Sequence, residues 1–229
     1  MIKLLGSVPK NICVAVSGGL DSMSALHFLN NNTSRRIVAL HFNHGTEHSD
    51  EAEEFVRDYC NKNRIALVVG RLSGVRDSNE SKESFWRRER YSFFENWNLH
   101  VNENMMFNFE EKESISDHFC KAPIITCHHL DDAVETWIFT SLHGNQRLIP
   151  YKRGGFLRPF LLTRRCDFED WANRNNVPHV FDPSNNDTAY MRNFIRHELM
   201  PNALTVNPGL HKVVYKKIKA THENYMDIF

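Results

Sequence analysis

The chain has 229 residues, of which 41% are hydrophobic, and its 28 basic side chains balance 28 acidic ones. This composition is typical of a globular protein with one substantial core, and it argues against a highly basic nucleic-acid coat protein. No apolar stretch is longer than a strand, no signal-peptide pattern opens the chain, and five cysteines are too widely spaced for a disulfide framework, so we expect a cytoplasmic protein without a membrane span.

Apolar runs of strand length alternate with helical patterns along the first 142 residues. The apolar runs cover residues 12–16, 37–42, 66–69 and 123–127. Helical periodicity predicts helices over residues 22–30, 50–63, 81–97 and 133–142. This alternation predicts an α/β fold with a Rossmann-like parallel sheet and helices on both faces. Ligands of such sheets bind at the carboxyl ends of the strands, where Ser17, His41 and Thr126 stand.

Two later segments interrupt the alternation. Residues 98–121 are polar and acidic, and they have the character of an insertion that forms either a loop or a small hairpin around residues 105–109. After residue 155 the pattern is helical, over 166–175 and 189–200. Residues 1–144 carry a net charge of −5 and residues 145–229 one of +5. The basic part can follow a phosphate backbone, although an unevenly charged ordinary surface is the alternative.

The sequence SGGLDS, at residues 17–22, joins the first predicted strand to the first predicted helix. Gly18 and Gly19 let backbone N–H groups turn toward an anion, and the N-terminus of the helix adds a positive partial charge. Ser17 and Ser22 offer hydroxyls for phosphate oxygens, but the lysine of the GxxxxGK[ST] loop is absent. The segment therefore predicts a cradle for pyrophosphate that leaves when ATP is attacked at its α-phosphorus. A plain glycine turn is the alternative.

A second polar group follows the fourth predicted strand. Asp132 and Glu135 are three positions apart and share a helix face. Paired carboxylates beside ATP can hold magnesium or can orient and deprotonate an amine, while helix capping is the alternative role. His128 or His129 is a candidate base or phosphate contact, and we expect one of them to be structural. A zinc site is disfavoured because its candidate ligands lack close pairing: His41, His44, Cys127 and His128.

Arginines recur at helical spacing in two further places. Arg87 and Arg90 share one face of the third predicted helix and suit the binding of phosphates or RNA, whereas Arg88 points elsewhere. A surface salt bridge is the alternative for Arg87. Arg192 and Arg196 are four positions apart and share a face of the last predicted helix.

The motifs together resemble those of the tRNA(Ile)-lysidine synthetases, which are N-type ATP pyrophosphatases of the PP-loop superfamily. SGGLDS resembles the pyrophosphate loop of that superfamily, and ALHFNHG resembles the strand and loop that follow it in the synthetases. Four more segments match the family in the family's order: RRERY, HHLDDAVET, RPFLLTRR and FDPSNNDTAYMRNFIRH. The resemblance covers about residues 10–210.

The resemblance implies both an architecture and a reaction. It implies an adenine nucleotide alpha hydrolase-like fold, with a PP-loop ATP pyrophosphatase domain at 1–150 and a helical region at 151–229 that completes the catalytic site. ATP would adenylate the wobble cytidine of an isoleucine tRNA with a CAU anticodon, and free lysine would then attack to give lysidine. Pyrophosphate and AMP are released, and the enzyme is a carbon–nitrogen ligase that uses ATP and magnesium.

The resemblance also assigns roles to individual residues. Catalysis is assigned to Arg87, His128, His129, Asp132 and Glu135. Binding of ATP is assigned to Ser17, Gly18, Gly19, Asp21, Ser22, His41 and Asn43. Binding of RNA is assigned to Arg90, Arg158, Asp182, Asn185, Arg192, Asn193 and Arg196. The candidate magnesium ligands are Asp21, Asp132 or both.

Two other functions stay open at this point. One is another adenylating tRNA-modifying enzyme, such as a cytidine thiolase, although that chemistry usually needs cysteine pairs and no two cysteines here are closer than seven positions. The other is a catalytically weak RNA-binding module that keeps the fold. The intact SGGLDS segment and the Asp132 and Glu135 pair argue against such a module. Asp182 and Asn185 also stand in a good turn sequence, where their role can be purely structural.

Overall fold

The computed structural model describes residues 1–31, 35–100, 105–106, 119, 121–183 and 187–226. Seven strands in these residues form one sheet. They are β1 (Asn11–Val16), β2 (Arg36–Asn43), β3 (Ala66–Arg71), β4 (Met105–Met106), β5 (Ile124–Ile125), β6 (Lys152–Arg153) and β7 (Phe156–Leu157). Their order across the sheet is β4-β3-β2-β1-β5-β7-β6.

The five central strands run parallel, and one short strand at each edge runs antiparallel. The predicted α/β fold with a mainly parallel sheet is therefore confirmed. The strands β6 and β7 were not predicted, because strands of two residues carry no periodic pattern. Both belong to the sheet although they follow the predicted domain boundary at residue 150. In place of a separate hairpin at 105–109, β4 pairs with β3, while residues 107–109 lie outside the described residues. The boundary at residue 150 stays a prediction.

Helices cover both faces of the sheet and form a layer beside it. They are α1 (Leu20–Asn31), α2 (Glu47–Lys62), α3 (Lys82–Glu95), α4 (Leu130–Leu142), α5 (Arg165–Asn175), α6 (Met191–Phe194), α7 (Met200–Val206) and α8 (Leu210–Met226). A π-helical segment, Ile195–Leu199, joins α6 to α7. Helix α2 begins earlier than predicted because the Thr46 hydroxyl accepts the Ser49 N–H at 3.2 Å and caps it. No helix among the described residues has the length and apolar character needed to cross a bilayer.

Alternation along β1 divides the core between the two faces of the sheet. Val14 and its neighbours on one face pack with α1, α2 and α5, where Leu26 and Phe168 are fully buried. Cys13 on the opposite face packs with Phe93 of α3. A third apolar cluster joins α4 to α8 and the segment around residue 195. The carboxyl ends of the parallel strands, with the first turns of α1 and α4, therefore meet at one edge of a rigid core.

Candidate active site

The SGGLDS segment forms a closed turn between β1 and α1. The Ser17 N–H donates to Ser22 Oγ at 3.1 Å, and Ser22 Oγ donates to the Gly19 carbonyl at 3.0 Å. Gly18 has a φ of +89°, a conformation that favours glycine, and its carbonyl accepts the Val180 N–H at 2.9 Å. The turn is thus held by its own hydroxyls and by the backbone contact with Val180.

His129 connects this turn to the first turn of α4. The ring is 1% exposed, and its Nε2 lies 3.6 Å from a carboxylate oxygen of Asp21 and 3.6 Å from one of Asp132. Asp132 also accepts the backbone N–H of His129 at 2.9 Å. Burial alone would lower the pKa of His129, but the carboxylates of Asp132, Asp21 and Asp131 outweigh it and raise that pKa to about 9. His129 is therefore surrounded by acidic groups.

Two arginines from the C-terminal region contact the paired carboxylates of α4. Arg196 Nε lies 2.6 Å from Glu135 Oε1, and its Nη2 lies 3.2 Å from Asp132 Oδ1. Arg192 reaches the same two acids, at 3.2 Å from Asp132 and 3.3 Å from Glu135. Burial alone would raise the pKa of Asp132, but His129 and Arg192 hold it well below its usual range. Both carboxylates thus lie in one network with the two arginines.

A separate group of arginines lacks acidic partners within the described ranges. Arg158 is 6% exposed and donates to the Pro150 carbonyl at 3.1 Å. The guanidinium carbons of Arg87 and Arg90 lie 4.8 Å and 5.9 Å from the centre of the Tyr91 ring. Burial lowers the pKa of both Arg90 and Arg158, and the charge of Arg87 lowers them further. Three guanidiniums with an excess of positive charge form a site that suits an anion.

His128 lies between these arginines and the acidic network. Its Nδ1 is 3.0 Å from the Thr126 hydroxyl. Burial lowers the pKa of His128 to about 4, and Arg192 and Arg158 act in the same direction while Asp132 opposes them. The imidazole is therefore neutral at neutral pH, and it is a weak base that can form hydrogen bonds.

Several predicted site residues have other partners in the structure. Asn43 is buried and donates to Asp50 and Glu53, at 2.8 Å each, so its amide braces the N-terminal half of α2. The His41 ring donates to the Val16 carbonyl at 3.0 Å, which holds it at the end of β2. Asn193 donates to the Asp187 carbonyl at 2.9 Å.

The turn that contains Asp182 is only partly described. Asp182 lies 3.9 Å from His48 Nε2 and is half-exposed. Asn185 lies outside the described residues, so the predicted role of that residue stays a prediction.

A second buried acid, Asp131, stands in the first turn of α4 and makes contacts that its sequence position does not predict. Asp131 accepts from His211 Nε2 at 3.0 Å and from the Arg165 N–H at 2.8 Å. Burial would raise the pKa of Asp131, but these hydrogen bonds lower it to about 2. No sequence signal predicts this contact, because His211 is 80 positions away.

The described residues fit magnesium better than zinc. No group of three or more His, Cys, Asp and Glu side chains that could by themselves hold a metal ion occurs among them. Magnesium needs only one or two protein carboxylates, because phosphates and water supply its other ligands. Asp21 Oδ1 is buried and accepts no hydrogen bond from the described residues, which suits such a ligand. Asp132, the other predicted ligand, contacts Arg192 and Arg196.

Comparisons with known proteins find relatives along most of the chain. Residues 2–113 and 113–203 match a family model described as a PP-loop domain. The tRNA(Ile)-lysidine synthase of Thermotoga maritima is 31% identical over 224 residues, which cover 93% of this chain and 50% of that protein. The Staphylococcus aureus enzyme of the same name is 31% identical over 235 residues, with 96% and 50% coverage. The chain thus spans about half the length of the curated relatives it matches.

A solved structure shares the fold. The U34-tRNA thiolase NcsA from Methanococcus maripaludis superposes with a TM-score of 0.69 at 13% identity, over 95% of this chain and 73% of that one. At this identity the likeness concerns the arrangement of strands and helices alone. It agrees with the predicted adenine nucleotide alpha hydrolase-like architecture.

Proposed function

Because the chain belongs to the PP-loop family and its resemblance to the tRNA(Ile)-lysidine synthetases is confirmed, we propose that it adenylates an isoleucine tRNA and joins lysine to the activated base. The observation that carries the proposal is the connection between the SGGLDS turn and the acids of α4. His129 lies 3.6 Å from Asp21 of the turn and 3.6 Å from Asp132 of the helix. A phosphate site and an amine site are therefore neighbours.

The first step is adenylation of the wobble cytidine of a CAU anticodon. The 2-carbonyl oxygen of the base attacks the α-phosphorus of ATP, the bond to the β-phosphate oxygen breaks, and pyrophosphate leaves. The backbone at Gly19 and the hydroxyls of Ser17 and Ser22 hold the pyrophosphate, and the N-terminus of α1 is directed toward it. Asp21, with Asp132, would hold a magnesium ion that neutralises phosphate charge.

The second step joins lysine and releases AMP. The amine has a pKa of about 10.4 in water, so it gives a proton to solvent before it attacks the activated ring carbon, and the bond from that carbon to the adenylate oxygen then breaks as AMP leaves. The low pKa of Asp132 makes this carboxylate a poor proton acceptor and a good partner for an ammonium group. Asp132 and Glu135 therefore bind and orient the lysine, which takes over contacts that Arg192 and Arg196 now make. The weakly basic His128 contributes a hydrogen bond near the reacting centre.

The RNA contacts come mainly from the arginines without acidic partners. Arg87, Arg90 and Arg158 offer positive charge to the backbone of the anticodon loop, and Arg192 adds to it from the C-terminal side. Single-stranded loops are read by side chains that stack on exposed bases, and half-exposed aromatic residues stand near Arg192: Tyr190 at 42% and Phe194 at 45%. Such a reaction belongs in the cytoplasm, where free lysine, ATP and tRNA are available.

Neither alternative function is favoured by a specific contact. Burial raises the pKa of the Cys13, Cys60 and Cys127 thiols, which makes them poor sulfur carriers for a thiolase. A module that only binds RNA has no use for a buried carboxylate pair next to a phosphate turn.

The decisive experiment measures lysine incorporation into RNA. Purified protein, ATP, magnesium and radiolabelled lysine are mixed with an unmodified isoleucine transcript, and label in acid-precipitable RNA is counted. We expect label with the CAU transcript and none when its wobble cytidine is replaced by uridine. AMP release with another acceptor, and no lysine label, would keep an adenylating enzyme and remove lysidine formation. No label and no AMP would favour the RNA-binding module.

A matched pair of variants tests the acid site. Asp132→Asn should lower incorporation at least a hundredfold with an unchanged circular dichroism spectrum, because the ammonium group loses its charged partner. Asp170→Asn, on the exposed surface of α5, should leave incorporation unchanged. Normal turnover by the Asp132 variant would remove this residue from the mechanism.

A further inference from the structure

The carboxylate of Asp131 ties together the N-terminal ends of three helices. Asp131 itself lies in the first turn of α4. One of its oxygens accepts the backbone N–H of Arg165, the first residue of α5, at 2.8 Å. The other oxygen accepts from His211 Nε2, in the first turn of α8, at 3.0 Å. Each oxygen is therefore held from a different helix.

The same carboxylate contacts the histidine that joins the two halves of the site. Asp131 Oδ2 lies 3.7 Å from His129 Nδ1, on the side of the ring away from Asp21. The groups form a buried line that runs from His211 through Asp131 to His129 and then to the SGGLDS turn. The described part of the chain thus connects the C-terminal helix to the phosphate turn through side chains alone.

Packing of α8 does not explain a histidine at position 211. The helix is anchored by Leu210, Val214 and Ile218, which are at most 5% exposed and belong to the cluster shared with α4. The His211 ring is 8% exposed and stands beside this apolar stripe. An apolar side chain would fill the same space without a buried polar atom, so the donor to Asp131 is the feature that the imidazole supplies.

We propose that His211 is a positioning residue, which acts through Asp131 to hold the His129 ring and the first turn of α4 against the SGGLDS turn. His211 touches neither nucleotide nor lysine in this arrangement. It fixes the separation between the pyrophosphate site and the Asp132 and Glu135 pair, on which in-line attack depends. The kinetic part of this inference rests on the proposed lysidine reaction, whereas the part that concerns the His129 ring does not.

The test compares two substitutions that fill the same space. In His211→Gln the amide nitrogen reproduces the Nε2 donor, whereas His211→Met has similar bulk and no donor. We expect the Met variant to lose at least tenfold in kcat with less than a twofold change in KM for ATP, and the Gln variant to recover most of that loss. His222→Met is the control, since this residue is also in α8 but packs on the Tyr151 ring at 4.6 Å.

A second readout separates positioning from stability. Nitrogen-15 NMR of the imidazoles should show a changed His129 signal in the Met variant and an unchanged one in the Gln and His222 variants. Equal kcat in the Met and Gln variants, with the His129 signal unchanged in both, would overturn the proposal even if both melt at lower temperature. If the unaltered chain forms no lysidine, the proposed reaction fails, and the His129 signal alone decides the positioning role.

Discussion

Arg196 Nε lies 2.6 Å from Glu135 Oε1, although 61 positions separate the two residues in the chain. Glu135 is 2% exposed, so its carboxylate has exchanged water for this guanidinium and that of Arg192. A buried charge that loses its partner is strongly destabilising, because desolvation is then uncompensated. The pair therefore attaches the C-terminal segment to α4. It also keeps in place the Glu135 carboxylate, which the proposed lysine site needs.

The first prediction concerns the stability carried by this contact. Arg196→Met should lower the free energy of unfolding by about 3 kcal/mol, because Glu135 keeps its burial and loses its closest donor. Arg165→Met is the control, since its 3.3 Å pair with Glu169 is exposed, and it should cost less than about 1 kcal/mol. Urea unfolding followed by circular dichroism measures both. Equal losses in the two variants would contradict the structural role given to Arg196.

The second prediction concerns the phosphate turn. Gly18→Ala should destabilise the protein by about 1–2 kcal/mol and weaken ATP binding, because a φ of +89° disfavours any residue with a Cβ. That Cβ would also lie 3.0 Å from Val180 Cγ2. Gly155→Ala is the control, as its added Cβ meets no atom within 4 Å. Calorimetric titration with ATP should separate the two variants, and equal affinities would rule out a strained Gly18 as part of the nucleotide site.

Local patterns predicted most of the fold. The alternation of long apolar runs with helical periodicity predicted the parallel strands β1 to β3 and the helices α1 to α4. Strands β6 and β7 were not predicted, because two residues are too few for a period of two to appear. Their position in the sheet depends on pairing with β5, which is a tertiary contact and leaves no mark in the local sequence.

The candidate site could be predicted in its parts but not in its assembly. Helical spacing placed Asp132 with Glu135, and Arg192 with Arg196, yet nothing in either pattern indicates that the two pairs meet. The role in ATP binding that the resemblance implies for Asn43 stays a prediction, and it gave no hint of the buried bonds that Asn43 makes to Asp50 and Glu53. Such outcomes follow from long-range packing, which decides what a polar side chain contacts.

The third prediction concerns acid stability. Burial would raise the pKa of Glu53, but hydrogen bonds from Arg71, Asn43 and Arg57 lower it from 4.5 to about 2. A carboxylate whose pKa is lower in the folded state stabilises the protein above its unfolded pKa, and this contribution is lost as the pH falls from about 4.5 to about 2. It should amount to about 1–2 kcal/mol, because exposure of Arg71 to solvent screens its charge.

The variants Glu53→Gln and Glu54→Gln measure this contribution. The first should unfold at lower urea concentration at pH 6 and lose less further stability than the unaltered chain between pH 5 and about pH 2. The second replaces an exposed neighbour, and its stability should change with pH as that of the unaltered chain does. A Glu53 variant with the same acid dependence as the unaltered chain would show that the folded-state pKa of this residue is not depressed.

The last prediction separates two adjacent arginines of α3. Arg87 has no acidic partner among the described residues, and it belongs to the arginine group with Arg90 and Arg158. Arg88 lies outside this group and pairs with Glu80 at 3.1 Å and Glu89 at 2.5 Å. Arg87→Ala should weaken binding of the isoleucine transcript and reduce the slope of log K against log salt by about 1, because one phosphate contact is lost. Arg88→Ala should leave both quantities unchanged, since its charge is already neutralised. Filter binding between low and moderate salt gives the two slopes, and an equal effect of both substitutions would mean that general charge, and not this arginine group, attracts the RNA.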